Sequence, residues 1–208
     1  AVKPAGIYER SESPSRKVER LEDISGLLYG DVPELLMIKE NNLRFLVDVR
    51  HGQKTGFFLD QRGKRRALMK YAQSNKAILN CFSYTGAFTV YALSGGATMT
   101  VSVDSSASAL ELAKENIKLN GLDIGKCEFI CDDAKKYLRG IRSDEFDLII
   151  LDPPAFIKDR RKIKEGIIGY KNINESALKI LPDNGILVTC SCSAHLSLQD
   201  FRYLISEA

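Results

Sequence analysis

No apolar run approaches the roughly 18 consecutive residues that a membrane-spanning helix needs, so nothing in the sequence reads as a transmembrane segment. No basic stretch followed by an apolar core opens the sequence, so no signal-peptide pattern is read there. Charge of one sign is also scarce. Thirty basic and 27 acidic side chains leave a net charge of +3, which permits an anionic partner without requiring one. Internal repeats and low-complexity tracts are absent. The five cysteines, Cys81, Cys127, Cys131, Cys190 and Cys192, are an odd set within apparent strands and strand ends, which argues against a disulfide framework and for a reducing cytoplasm. Cys190, Cys192 and His195 offer three zinc ligands, but a fourth is not near in sequence. A structural zinc site is normally four-coordinate, so no metal is expected.

What is present is an ordinary globular composition. The 208 residues are 44% hydrophobic and 27% charged, enough for one full domain and a smaller appendage. Residues 1–60 carry short runs rich in β-branched and aromatic side chains: LLMIKE, NLRFLVDV and TGFFLD. These predict strands, with Asn41-Asn42 as a hairpin turn between the first two and residues 11–20 as a polar loop.

From residue 61 the pattern becomes a strict alternation. Helices are expected over 62–74, 87–93, 106–120, 134–138, 170–181 and 198–206. Strands are expected over 77–81, 99–103, 128–131, 146–151 and 186–189. Such alternation predicts an α/β, doubly wound, mainly parallel sheet of the Rossmann-like kind over 61–208, preceded by a small antiparallel β-rich element. The chain opens on Ala1 and stops on a helix with no strand after it, so truncation at both ends is expected. An open sheet edge would also allow pairing into a homodimer.

The strand ends are where a fold of this class binds ligands. The loop NCFSYTGAF, residues 80–88, leads from a strand into a helix N-terminus, where free N–H groups and the helix dipole meet a ligand. Only Gly86 occurs there, so the three-glycine pattern for a diphosphate is missing, and a ligand bearing a carboxylate and a sulfonium fits better. Asp104 ends the next strand, at about the distance from a glycine loop where nucleotide folds place a ribose-binding acid, and otherwise it caps the helix after it. Asp132-Asp133 follows the third strand, in reach of an adenine amino group or as a helix cap. LDPPAF follows the fourth and TCSCS the fifth.

The ordered set GQKTGFFLDQR, NCFSYTGAF, VSVD, CDDA, LDPPAF and TCSCS resembles the class I S-adenosylmethionine-dependent methyltransferases that form 5-methylcytosine in large-subunit rRNA. The likeness runs from about Ile7 to the end of the chain. It implies that Phe82, Ser83, Thr85 and Gly86 surround the methionine part of the cofactor, that Asp104 holds the ribose, and that Asp133 or Asp132 reads adenine. It implies Gln53–Gly56 near the cofactor or target base, and large-subunit rRNA as partner. It also implies a small RNA-binding domain ahead of the β-rich segment and two further strands after the last helix, both absent from this sequence.

Cytosine C5 is a poor nucleophile until a thiolate adds at C6, and a hydrogen bond or proton at N3 favours that addition. RNA enzymes of this type place the thiol seven residues after a strand-opening glycine, which from Gly185 gives Cys192, while Cys190 packs. Asp152 is expected at cytosine N3, with Pro153 and Pro154 shaping the base slot. Lys158, Arg160, Arg161, Lys162 and Lys164, with Lys64-Arg65-Arg66, form a candidate phosphate-binding surface. Two competing readings stand beside this one. The DPP segment with an aromatic also suits a guanine methyltransferase, although Ala155 intervenes before Phe156, and a noncatalytic RNA-binding or ribosome-assembly module would keep the fold alone.

Overall fold

The computed structural model describes residues 3–12, 16, 18–73 and 76–208. The chain divides into two compact units, Ala1–Arg62 and Gly63–Ala208.

In the first unit β1 (Gly6–Arg10) pairs antiparallel with β2 (Ser25–Gly30), and β3 (Leu36–Glu40) pairs antiparallel with β4 (Leu43–Val47). The second pair is a hairpin closed by Asn41 and Asn42 at φ 48° and 71°. Two left-handed residues make the turn whose twist matches the strands it joins, and asparagine tolerates that conformation. Phe45 and Val47 are buried, and the Phe45 ring lies 5.1 Å from that of Phe57. The Arg10 guanidinium donates to the carbonyls of Gly52 and Lys54 at 2.5 and 2.6 Å, tying down the segment after the hairpin.

Three expectations need correcting here. TGFFLD is not a strand: Gly56 at φ 85° turns the chain, Phe57 packs inward, and Leu59–Gln61 forms one turn of 3₁₀ helix. β1 and β2 were not predicted; β1 is half-buried along nearly its whole length and β2 mostly exposed, so neither shows the inside–outside alternation that reveals a half-buried strand. Of the loop expected over 11–20, residues 13–15 and 17 lie outside the described residues, and 16 and 18 are helical.

The second unit is a five-stranded parallel sheet in the order β7-β6-β5-β8-β9. Its strands are β5 (Ala77–Cys81), β6 (Met99–Asp104), β7 (Cys127–Cys131), β8 (Leu148–Leu151) and β9 (Ile186–Thr189). The helices are α1 (Arg62–Tyr71), α2 (Ala87–Ser94), α3 (Ala107–Leu119), α4 (Ala134–Gly140), α5 (Ile163–Leu178) and α6 (Leu198–Ser206). Side chains alternate across each strand. Leu79, Cys81, Val101, Val103, Ile149 and Leu151 point into one apolar cluster with α4 and α5 residues. Ile78, Leu148 and Ile150 point into the opposite cluster, against Leu68 of α1, Ala72 just after it, and Phe88 and Ala92 of α2. Both faces are therefore covered, as an all-parallel sheet requires.

The strand order reverses between β5 and β8, and a switch point of this kind opens a crevice at the C-terminal ends of the strands. The helix expected over 170–181 begins instead at Ile163. Gly166 near its start allows close approach: a Cβ would stand 2.3 Å from Ile157 Cγ1.

Candidate active site

The loop after β5 is built from unusual backbone. Phe82, Tyr84 and Gly86 take φ of 59°, 47° and 72°. Left-handed geometry costs a non-glycine residue about 1–3 kcal/mol, so the surroundings must hold it. They do so through several bonds. Ser83 N donates to Val103 O at 3.0 Å, Tyr84 N to Asp104 Oδ2 at 2.8 Å, and Gly86 N to Ser83 O at 2.9 Å. From α3, Asn116 Nδ2 donates to Thr85 O at 3.0 Å. Gly86 cannot carry a side chain, because its Cβ would lie 2.7 Å from that of Ala113. Beneath the loop, Asn80 Nδ2 donates to Thr89 Oγ1 at 2.9 Å, which in turn bonds Ser102 Oγ at 2.8 Å. Asn116, Thr89 and Asn80 were not predicted; they sit on buried faces where apolar residues are usual, and a buried polar side chain in such a pattern is the signal that could have found them.

Asp104 is not the cap of α3. Ser106 is, accepting from Ala109 N, while Asp104 Oδ1 accepts from Ser106 N at 2.9 Å. Each carboxylate oxygen thus has one bond and one lone pair remaining, enough to accept two hydroxyls. Asp133 does cap its helix, accepting from Lys136 N at 2.8 Å. Asp132 lies 3.1 Å from Lys136 Nζ, and that ammonium, with the Asp133 N–H, holds its carboxyl below the usual range.

Opposite the loop, Asp152 follows β8 and Pro153 is buried against the end of β9. Cys190 N donates to Leu151 O at 2.8 Å, prolonging the β8–β9 ladder. The two cysteines then part. Cys190 is 2% exposed, and burial, then the Asp152 carboxylate, push its thiol up to about 12, with Lys64 acting the other way. Cys192 is exposed, and its sulfur lies 3.7 Å from Pro153 O. Ser193 fastens the two segments together, accepting from Ile157 N at 3.1 Å and bonding Tyr170 OH at 2.9 Å. The Phe156 ring lies 4.7 Å from that of Tyr170, with Lys135 Nζ 4.1 Å over it.

The basic residues separate as well. Lys158 and Arg160 are exposed with no ion pair to any described residue, whereas Arg161 is held by Asp159 at 2.5 Å. Arg65, expected on the basic surface, is 2% exposed and cannot meet a phosphate there, because the periodicity of α1 turns it and Leu68 inward.

A family model described as S-adenosylmethionine-dependent methyltransferase matches residues 16–204. The chain belongs to this family. The chain is 45% identical over 205 residues to the ribosomal RNA large subunit methyltransferase I of Escherichia coli O139:H28, covering 97% of this chain and 52% of that protein. It therefore spans about half the length of the curated relatives it matches. Among solved structures, a methyltransferase complexed with SAH shares 32% identity at a TM-score of 0.77, over 88% of this chain and 49% of that one. A SAM-dependent methyltransferase from Streptococcus mutans gives 32% and 0.76, over 88% and 48%.

The crevice fits the family's cofactor. Ser83 Oγ and Asn80 Oδ1 are buried without a hydrogen-bond partner, so the chain keeps polar atoms spare at this loop, in addition to the lone pairs left on Asp104.

Proposed function

We propose that this protein methylates C5 of a cytosine in large-subunit rRNA, in the cytoplasm, by way of a transient bond between Cys192 and cytosine C6. The observation that carries the reading is one juxtaposition: an accessible thiol, 3.7 Å from the carbonyl of Pro153, at the turn that begins with Asp152. The likeness to an E. coli ribosomal RNA large subunit methyltransferase supports rRNA as the substrate class.

S-adenosylmethionine, when bound, supplies an electrophilic methyl group; Phe82, Ser83, Thr85 and Gly86 would hold its methionine part, Asp104 its ribose, and Asp132 or Asp133 its adenine. Cys192 acts as a thiolate and adds to C6, which turns C5 into an enamine carbon able to take the methyl. A base then removes the C5 proton, the C5–C6 double bond reforms, and the C6–sulfur bond breaks to return the thiolate. Asp152 faces the edge of the same ring that carries N3, while Pro153 and Pro154 wall the slot. Lys158 and Arg160, with Arg161 as a lesser contributor, hold the strand through its phosphates. A base within folded RNA would have to be unstacked to enter.

Two features weigh against the alternatives. A guanine-directed site of the DPP-aromatic kind needs its aromatic at the base, and Phe156 is occupied with Tyr170 and Lys135 instead. A noncatalytic module has no use for a strained, polar-lined loop. Nucleoside mass spectrometry of rRNA treated with wild-type and Cys192→Ala protein tests the reading. The variant should make no 5-methylcytosine and bind S-adenosylmethionine as wild type does by calorimetry. Retained activity in Cys192→Ala would falsify the covalent route, and absence of cofactor binding by the wild type would favour the noncatalytic module.

A further inference from the structure

Helix α1 leads into β5 at the N-terminal end of the sheet, so its own first turn lies towards the C-terminal ends of the strands. Leu68 of α1 shares an apolar cluster with Leu148 and Ile150 of β8 and with Ile186 and Val188 of β9. Strand alternation carries the same side of the sheet on to Asp152 and to Cys190. Lys64 precedes Leu68 by one helical turn, which sets it over those two residues. Both bear on the Cys190 thiol, which the Asp152 carboxylate pushes up and the Lys64 ammonium pulls down. Lys64 is exposed, so its ammonium is open to a ligand in the crevice.

An ammonium beside a carboxylate at a pyrimidine slot has a specific chemical meaning. Cytosine offers an amino donor at N4 and acceptors at N3 and O2. An ionised carboxylate only accepts, so it can serve N4 but not N3, while a lysine only donates. We propose that Lys64 is a further residue of the reacting centre, and that its ammonium and the Asp152 carboxylate together read the donor–acceptor edge of the target cytosine. Uracil presents an acceptor and then a donor at the corresponding positions and meets the pair mismatched. The same ammonium stabilises the charge that spreads onto N3 and O2 as the thiolate adds at C6. This inference rests on the cytosine reading above.

The test is trapping on large-subunit rRNA transcripts that contain 5-fluorocytosine, with S-adenosylmethionine present. Fluorine at C5 cannot leave as a proton, so the adduct persists and shows as a slow-migrating band. Wild-type protein should trap, and Lys64→Met should trap about 10- to 100-fold more slowly at saturating RNA, the range expected for a lost charge-assisted hydrogen bond. Its discrimination against 5-fluorouridine RNA should narrow, its affinity for S-adenosylmethionine should be unchanged, and Lys64→Arg should recover most of the rate. Trapping by Lys64→Met at the wild-type rate overturns the inference and leaves the cytosine reading standing. Loss of cofactor binding in Lys64→Met also overturns it, since the lysine would then serve the fold. Failure of the wild type to trap removes the cytosine reading itself, and the inference with it.

Discussion

Two cysteines separated by a single serine have opposite chemistry here, and the difference lies in where the β8–β9 ladder stops. Cys190 is the last residue that the ladder holds, under Asp152, and burial followed by that carboxylate raises its thiol from an ordinary 9.0 to about 12. Cys192 lies past the ladder and is open to solvent. Iodoacetamide at pH 8 should therefore modify Cys192 and the exposed Cys131 at least about 100-fold faster than Cys190 or Cys81, because only an accessible thiolate reacts. Peptide mass spectrometry reads the rates; equal labelling of Cys190 and Cys192 would remove the distinction on which the nucleophile assignment rests. The raised thiol also has a signed consequence for stability. The folded state keeps Cys190 neutral, so its contribution is complete below about pH 9 and is lost as pH rises towards about 12. In the sequence the two cysteines were told apart only by the family resemblance, which counts seven residues from Gly185 to Cys192; that Cys190 is buried and Cys192 exposed comes from the structure. Lys64 was legible only as one cation in a basic run, because what it lies over is decided by how α1 packs on β8 and β9.

At the level of elements, strands and helices with one clear period were readable and those shaped by a neighbour were not. The apolar residues 77–81 and 186–189 gave β5 and β9 with their observed bounds, since both are short runs flanked by turn residues. TGFFLD has strand composition, but Gly56 at φ 85° overrides it. The loop proposed to hold the cofactor lies between these cases: its place after β5 was legible, while the left-handed conformations of Phe82 and Tyr84 depend on Asp104, Val103 and Asn116. Gly86 is the residue that the loop cannot replace. Gly86→Ala adds a Cβ 2.7 Å from Ala113 at a φ of 72°, so the loop must move or α3 must give way. We expect a loss of about 1–3 kcal/mol in stability, and S-adenosylmethionine binding at least about tenfold weaker. Thermal melting and calorimetry measure the two separately. A variant that melts early yet binds the cofactor normally would mean that the loop is structural and the cofactor lies elsewhere.

Across the whole chain a net charge of +3 is too small to draw RNA by overall field, so on the proposed reading affinity comes from cations concentrated near the crevice. The segment after Pro154 supplies them unequally. Lys158 and Arg160 face solvent without an ion pair to any described residue. Arg161 is bound by Asp159, whose carboxyl that guanidinium holds below its ordinary range, so the pair remains intact and nearly neutral even in mild acid. Counterion release makes the inequality measurable: each phosphate contact on single-stranded RNA contributes about 0.7 to the slope of log affinity against log salt. Lys158→Ala and Arg160→Ala should each flatten that slope by about 0.7, and Arg161→Ala by clearly less. Fluorescence anisotropy with a labelled rRNA fragment over a salt series gives the three values. If Lys158→Ala and Arg160→Ala keep the wild-type slope, this segment does not touch the strand, and the target base must enter the crevice from a side that carries other cations.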